Sequence, residues 1–93
     1  MSAVTIEHRP AEQCFIVELQ GAQARLDYQL SAAMDHNYRG LVNFSHTFVP
    51  PQLRGQGLAE QLVRTGLAWA RQQQLQIQAS CWYVAKFLRK DMS

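Results

Sequence analysis

Long apolar runs, a cysteine framework and a strong charge of either sign are all missing from this 93-residue chain. No stretch approaches the ~18 apolar residues of a membrane span. Residues Met1 to Gln13 lack the basic-then-apolar order of a secretory leader. Cys14 and Cys81 are too few for a disulfide scaffold, and no C-x-x-C is present, so a reducing, cytoplasmic setting is the expectation. His8, His36 and His46 are scattered without metal-ligand spacing, and no metal is expected. Nine basic residues against seven acidic leave +2, and only Lys86, Arg89 and Lys90 cluster. Neither a nucleic-acid stripe nor a polybasic membrane segment is expected from that balance.

What is present describes a folded domain. Hydrophobic residues make up 47% of the chain and charged residues 17%, too apolar and too balanced for disorder. A chain of this length buries roughly 60–65% of its unfolded surface, enough for one core. Barrels, kinases and dinucleotide-binding enzymes need more chain. One domain over residues 1–93, with its core at about 12–90, is therefore expected.

Phe15, Val17 and Leu19 alternate with Cys14, Ile16 and Glu18, which predicts a strand; Gly21 marks a turn. Leu26, Tyr28 and Leu30 alternate with Arg25, Asp27 and Gln29 and predict its hairpin partner. After a polar loop from Ser31 to Gly40, a third strand is expected over Leu41–Val49, with Val42, Phe44, His46 and Phe48 on one face. Pro50-Pro51 ends it. From Leu58 the period becomes 3.6, with Leu58, Ala59, Leu62, Val63, Gly66, Leu67 and Ala70 as the apolar stripe. Leu75, Ile77 and Ala79 suggest a last strand, and Trp82 to Lys90 a closing helix. The order β-β-β-α-β-α implies an α+β fold with a largely antiparallel sheet, its last strand able to run parallel to the third.

One segment carries chemistry, Val49-Pro-Pro-Gln-Leu-Arg-Gly-Gln-Gly-Leu-Ala59. Two glycines let the backbone approach a ligand, and the helix behind them opens with free N–H groups that favour an anion. Arg54 sits at the rim, where a guanidinium suits a phosphate. A dinucleotide fingerprint fails because Glu60 stands where a third small residue is needed. A P-loop fails too, because Lys86 and Lys90 are the only lysines.

Arg54-x-x-Gly57-x-Ala59 resembles the [Q/R]-x-x-G-x-[G/A] pattern of the GNAT superfamily of acetyl-CoA-dependent N-acetyltransferases. Together with His46-Thr47-x-Val49-Pro50 and Cys81-x-Tyr83, it resembles the small single-domain members of that group. The resemblance implies a compact GNAT-like fold with a β-α-β CoA-binding unit and a C-terminal helix. It implies that backbone amides of Arg54, Gly55, Gln56, Gly57, Leu58 and Ala59 cradle the CoA pyrophosphate. Phe48-Val49 would pair with the pantetheine arm and offer a backbone N–H to the thioester oxygen.

Three residues are candidates for the chemistry. Many of the superfamily use a tyrosine on the last helix as acid; Tyr83 is in that region, but the usual place further along holds Phe87, so Tyr83 is substitute or spectator. Cys81, between strand and helix, is either an acyl-accepting or CoA-linked thiol or a packing residue. His46 is either a base or a hydrogen-bonded core histidine. The implied activity is acetyl transfer from acetyl-CoA to a primary amine. The rival is a non-catalytic CoA-binding or protein-interaction module. No helices fit between the first strands to shape an acceptor pocket. An open side remains for a large or flexible amine, or for a second copy of the chain that completes a homodimer.

Overall fold

The computed structural model describes residues 4–92, with side chains through Arg89. Five strands form one sheet in the order β1 (Glu7–Arg9), β2 (Cys14–Leu19), β3 (Ala22–Ser31), β4 (Gly40–Phe48) and β5 (Leu75–Ala79). The first four are antiparallel, and β5 runs parallel to β4. Helix α1 (Leu58–Gln72) makes the crossover between them, and α2 (Trp82–Met92) follows β5. This is the expected α+β order, preceded by a short strand, Glu7–Arg9, that the sequence pattern does not announce.

Each connection has a local cause. Between β2 and β3, Gln20 and Gly21 both take positive φ, 53° and 76°, the geometry of a two-residue hairpin turn that suits twisted strands. The β3–β4 loop is tied to β5 by Gln76, whose Oε1 accepts from the amides of Met34 at 3.0 Å and Asp35 at 3.2 Å. The Arg39 amide donates to the Gln74 carbonyl at 2.9 Å.

Both helices share one face of the sheet. Phe15, Val17, Leu26, Tyr28, Val42 and Phe44 meet Leu58, Leu62, Val63, Leu67 and Ala70 of α1 and Val84 of α2 in one core. The helix lies close enough at Gly66 that an added Cβ would come 2.9 Å from Leu26 Cδ2 and 3.0 Å from Phe44 Cε1. Among the described residues, neither α1 nor α2 packs on the opposite face. There Cys14 and Ile16 are buried on β2 between strands that carry the Arg25–Asp27 and Arg9–Glu7 pairs. At the β1 edge, His8 stacks on Phe15 with ring centroids 4.1 Å apart, and its Nε2 lies 2.6 Å from Tyr28 Oη.

One expectation about β4 is overturned. His46 and Phe48 do not share a face with Val42 and Phe44. The β3–β4 register pairs Tyr28 with Phe44 but Asp27 with His46, leaving Ser45 unmatched as a β-bulge. The extra residue inverts the alternation. Val42 and Phe44 stay fully buried, whereas His46 and Phe48 emerge on the helix-free face and Thr47 turns inward.

Candidate active site

The last paired residues of β4 and β5 are Phe44 and Ala79, and the Cys81 amide donates to the Phe44 carbonyl at 3.2 Å. Beyond that point the strands separate. Asn43 clamps the fork: its Oδ1 accepts from the Ser80 amide at 2.9 Å, and its Nδ2 donates to Ser80 Oγ at 2.9 Å. Thr47 and Cys81 face one another across the opening, Oγ1 to Sγ 3.6 Å.

Cys81 precedes the first turn of α2 and acts as its cap. Its carbonyl accepts from the Ala85 amide at 3.0 Å, and its half-buried sulfur receives the N–H groups of Val84 and Tyr83. Burial alone would push the thiol up. Those amides, with the Thr47 hydroxyl and backbone, outweigh it and bring the thiol below its ordinary value. Tyr83 moves the other way, raised by burial and then by the negative charge of Glu60, so its hydroxyl keeps its proton.

A cleft of about 240 Å³ lies against the start of α1, lined by Val49, Arg54, Gly55, Gly57, Leu58 and Ala59, together with Leu53, Glu60 and Tyr83. Gly55 and Gly57 take φ of 84° and 73°, in the left-handed region where a side chain is strained. Gly57 is the N-cap residue and supplies no side-chain acceptor. The Gly57 carbonyl accepts first from the Gln61 amide at 3.1 Å, so the amides of Leu58, Ala59 and Glu60 have no carbonyl within the helix. Arg54 folds along the wall, its Nε donating to the Val49 carbonyl at 3.0 Å. Glu60 is drawn to Arg64, Oε2 to Nη2 2.9 Å.

Six of the eight residues expected around the cofactor therefore border one cleft, and Tyr83 joins them; Phe48 and Gln56 do not line it. Of the three candidates for chemistry, the geometry brings Cys81 and Tyr83 to the first turn of α2. His46 stands on the helix-free face, opposite the side where Thr47 meets Cys81. Phe87 packs edge-on against Tyr83 at 5.2 Å. Sequence reasoning missed Leu53, Glu60 and the inward turn of Thr47. Leu53 had one signal, a lone apolar residue after two prolines, and it is fully buried. Among the described residues, no helix is long and apolar enough to cross a membrane.

Comparison with known proteins places this arrangement. The model of the GCN5-related N-acetyltransferase family matches residues 14–93. The chain is 30% identical over 90 residues to Protein NATD1 of Bos taurus, covering 95% of this chain and 74% of that protein. It is 29% identical over 90 residues to Protein NATD1 of Homo sapiens, with coverage of 95% and 74%. For Protein NATD1 of Danio rerio the identity is 26% over 88 residues, with coverage of 92% and 74%.

Proposed function

The chain belongs to the GCN5-related N-acetyltransferase family, and from that premise we propose that it binds acetyl-CoA and transfers the acetyl group to a primary amine on a large, flexible acceptor. The observation that carries the reading is the continuity of two features. An α1 N-terminus bare of side-chain caps opens beside the fork where β4 leaves β5.

Acetyl-CoA supplies the acyl group as an activated thioester. The amides of Gly57 to Glu60 and the positive end of α1 suit its pyrophosphate, and the positive-φ glycines leave no Cβ in the way. Arg54 borders that site with its remaining guanidinium N–H groups. The end of β4, Thr47 and Phe48, and Val49 after it have left β5 and would offer their backbone to an extended arm. A backbone N–H there would stabilise the oxyanion that develops on the thioester carbonyl. The Tyr83 hydroxyl, which keeps its proton and borders the same cleft, would give that proton to the departing thiolate. Cys81, with its lowered thiol, is the alternative acyl carrier on the same turn. His46 and Phe48 stand on the face without helices, from which the amine would approach, and no helical cover there restricts the size of the acceptor.

Phe87 favours a second reading, retained CoA binding without turnover, because its ring has no proton to give beside Tyr83. One experiment separates the two. Titration with acetyl-CoA should shift the amide resonances of Arg54 to Glu60 and of Cys81 to Val84, and thiol release should follow on adding a lysine-containing polypeptide. Shifts without release across a panel of polypeptides and polyamines would establish the binding module. A loop that does not respond would overturn both.

A further inference from the structure

Strand β5 ends at Ala79, and only Ser80 and Cys81 separate it from α2. The placing of that helix's first turn therefore depends on two residues. Val84, fully buried in the core, anchors the turn from beneath. Its outer end is held by β4. The Cys81 amide donates to the Phe44 carbonyl at 3.2 Å, and the Ser80 amide donates to Asn43 Oδ1 at 2.9 Å. In a regular strand neighbouring amides point to opposite edges, so the backbone of one adjacent strand serves only one of the two. Here a side chain serves the second. Asn43 closes on Ser80 with both ends of its amide group. Its Nδ2 donates to Ser80 Oγ at 2.9 Å, and its Oδ1 lies 3.2 Å from the same hydroxyl. Asn43 pairs with Gln29 on β3 and Gln78 on β5, while its neighbours Val42 and Phe44 are buried in the core beneath α1. The clamp is thus separate from the packing that holds the helices.

We propose that Asn43 is a positioning residue: its side chain takes over where the β4–β5 ladder stops and fixes the first turn of α2, with Cys81 and Tyr83, against Thr47 at the end of β4. Its part in turnover rests on the acetyl-transfer reading; the placement itself does not. Asn43 acts through Ser80, the residue before the sulfur that lies 3.6 Å from Thr47 Oγ1. The same turn carries Tyr83 to the cleft beside Arg54 and Gly57. A displacement of ~1 Å in a turn that carries a reacting group can cost about a hundredfold in rate. The clamp itself is exposed to solvent. Water can therefore take its hydrogen bonds at little cost in stability, but water does not fix the distance between the two strands. Placement and stability come apart at this residue.

The test compares the full-length chain with Asn43→Ala and Asn43→Asp. In Asn43→Ala the pH midpoint of Cys81 alkylation by iodoacetamide should rise by about half a pH unit or more, because the sulfur moves away from Thr47. Acetyl-CoA affinity should stay within about threefold, since the amides of Gly57 to Glu60 belong to α1, while kcat for thiol release should fall about tenfold. Asn43→Asp keeps an acceptor for the Ser80 amide and should recover most of that kcat. If Asn43→Ala does not fold, Asn43→Thr replaces it, a good strand former whose polar arm is shorter. An unmoved Cys81 midpoint in the folded variant would overturn the proposal, whatever the chain does with acetyl-CoA. So would a loss of kcat that Asn43→Asp fails to recover. A raised midpoint in a chain that releases no thiol even as wild type would uphold the placement and remove the acetyl-transfer reading alone.

Discussion

The two halves of β4 do different work. From Gly40 to Phe44 the strand is paired on both sides and places Val42 and Phe44 fully buried beneath α1. From Ser45 to Phe48 it is bulged, has lost β5, and has one neighbour, β3. The first half builds the core; the second faces the fork at Cys81. A sheet that remained regular throughout would close that fork. The pairing that α1 gives up at its N-terminus and β4 gives up after Phe44 is what leaves backbone groups available to a ligand.

If the halves are separable, substitutions in them should fail in different ways. The largest effect is expected from Phe44→Ala, which empties a fully buried aromatic site and should lower unfolding free energy by about 3–5 kcal/mol in denaturant titration. A loss under 1 kcal/mol would mean that this half is not the core. Gly57→Val should act oppositely. Left-handed backbone costs a side chain about 1–2 kcal/mol, and the space around the position is open, so the chain should stay folded. Its affinity for acetyl-CoA, measured by calorimetry, should fall by about a hundredfold, because the new side chain enters the cleft and disturbs the amides. Undiminished affinity would move the anion site elsewhere.

Thr47→Val tests the second half directly. Loss of its hydroxyl should raise the Cys81 thiol toward its ordinary value and slow iodoacetamide alkylation near neutral pH by about two- to tenfold, with Thr47→Ser restoring the rate. Cys14 is fully buried, so the reagent reads Cys81. The smallest effect concerns neither half. Burial lowers the pKa of His8 below that of an ordinary histidine, so the unfolded chain takes up that proton first as pH falls. The contribution of His8 is therefore full above about pH 6.5 and declines below it, until the folded ring also protonates. Chemical denaturation from pH 7.5 to 5 should show this slope, and His8→Gln should flatten it while leaving Cys81 alkylation unchanged.

The elements that read well from the sequence are those with local causes. The apolar stripe of α1 repeats every 3.6 residues, and Leu58, Leu62, Val63, Gly66, Leu67 and Ala70 are buried as expected, while Ala59, counted in the same stripe, is half-buried. The glycine loop was legible because Gly55 and Gly57 have few uses except positive φ beside a helix start. The bulge was not. Nothing in Asn43-Phe44-Ser45-His46 marks which residue β3 will skip, since that depends on the facing strand, and one skipped residue reassigned His46, Thr47 and Phe48 together. β1 escaped because Glu-His-Arg has no alternation; His8 reveals its purpose only once Phe15 and Trp69 are beside it. Cys81 as a helix cap had no precedent in the usual Ser, Thr, Asp and Asn preference.

Helix α1 begins at a glycine with nothing to cap it. In an extended N-cap a serine or aspartate typically adds a few tenths of a kcal/mol over glycine, permanently, but on this left-handed backbone either side chain would be strained. With Gly57 in that place, the anion proposed for this site would stabilise the helix end to a degree set by its concentration. By thermodynamic linkage, a ligand at a hundred times its dissociation constant adds about 2.7 kcal/mol, a large share of what a domain this small possesses. The lifetime of the folded chain would then follow the supply of its ligand, making stability itself a readout of that supply.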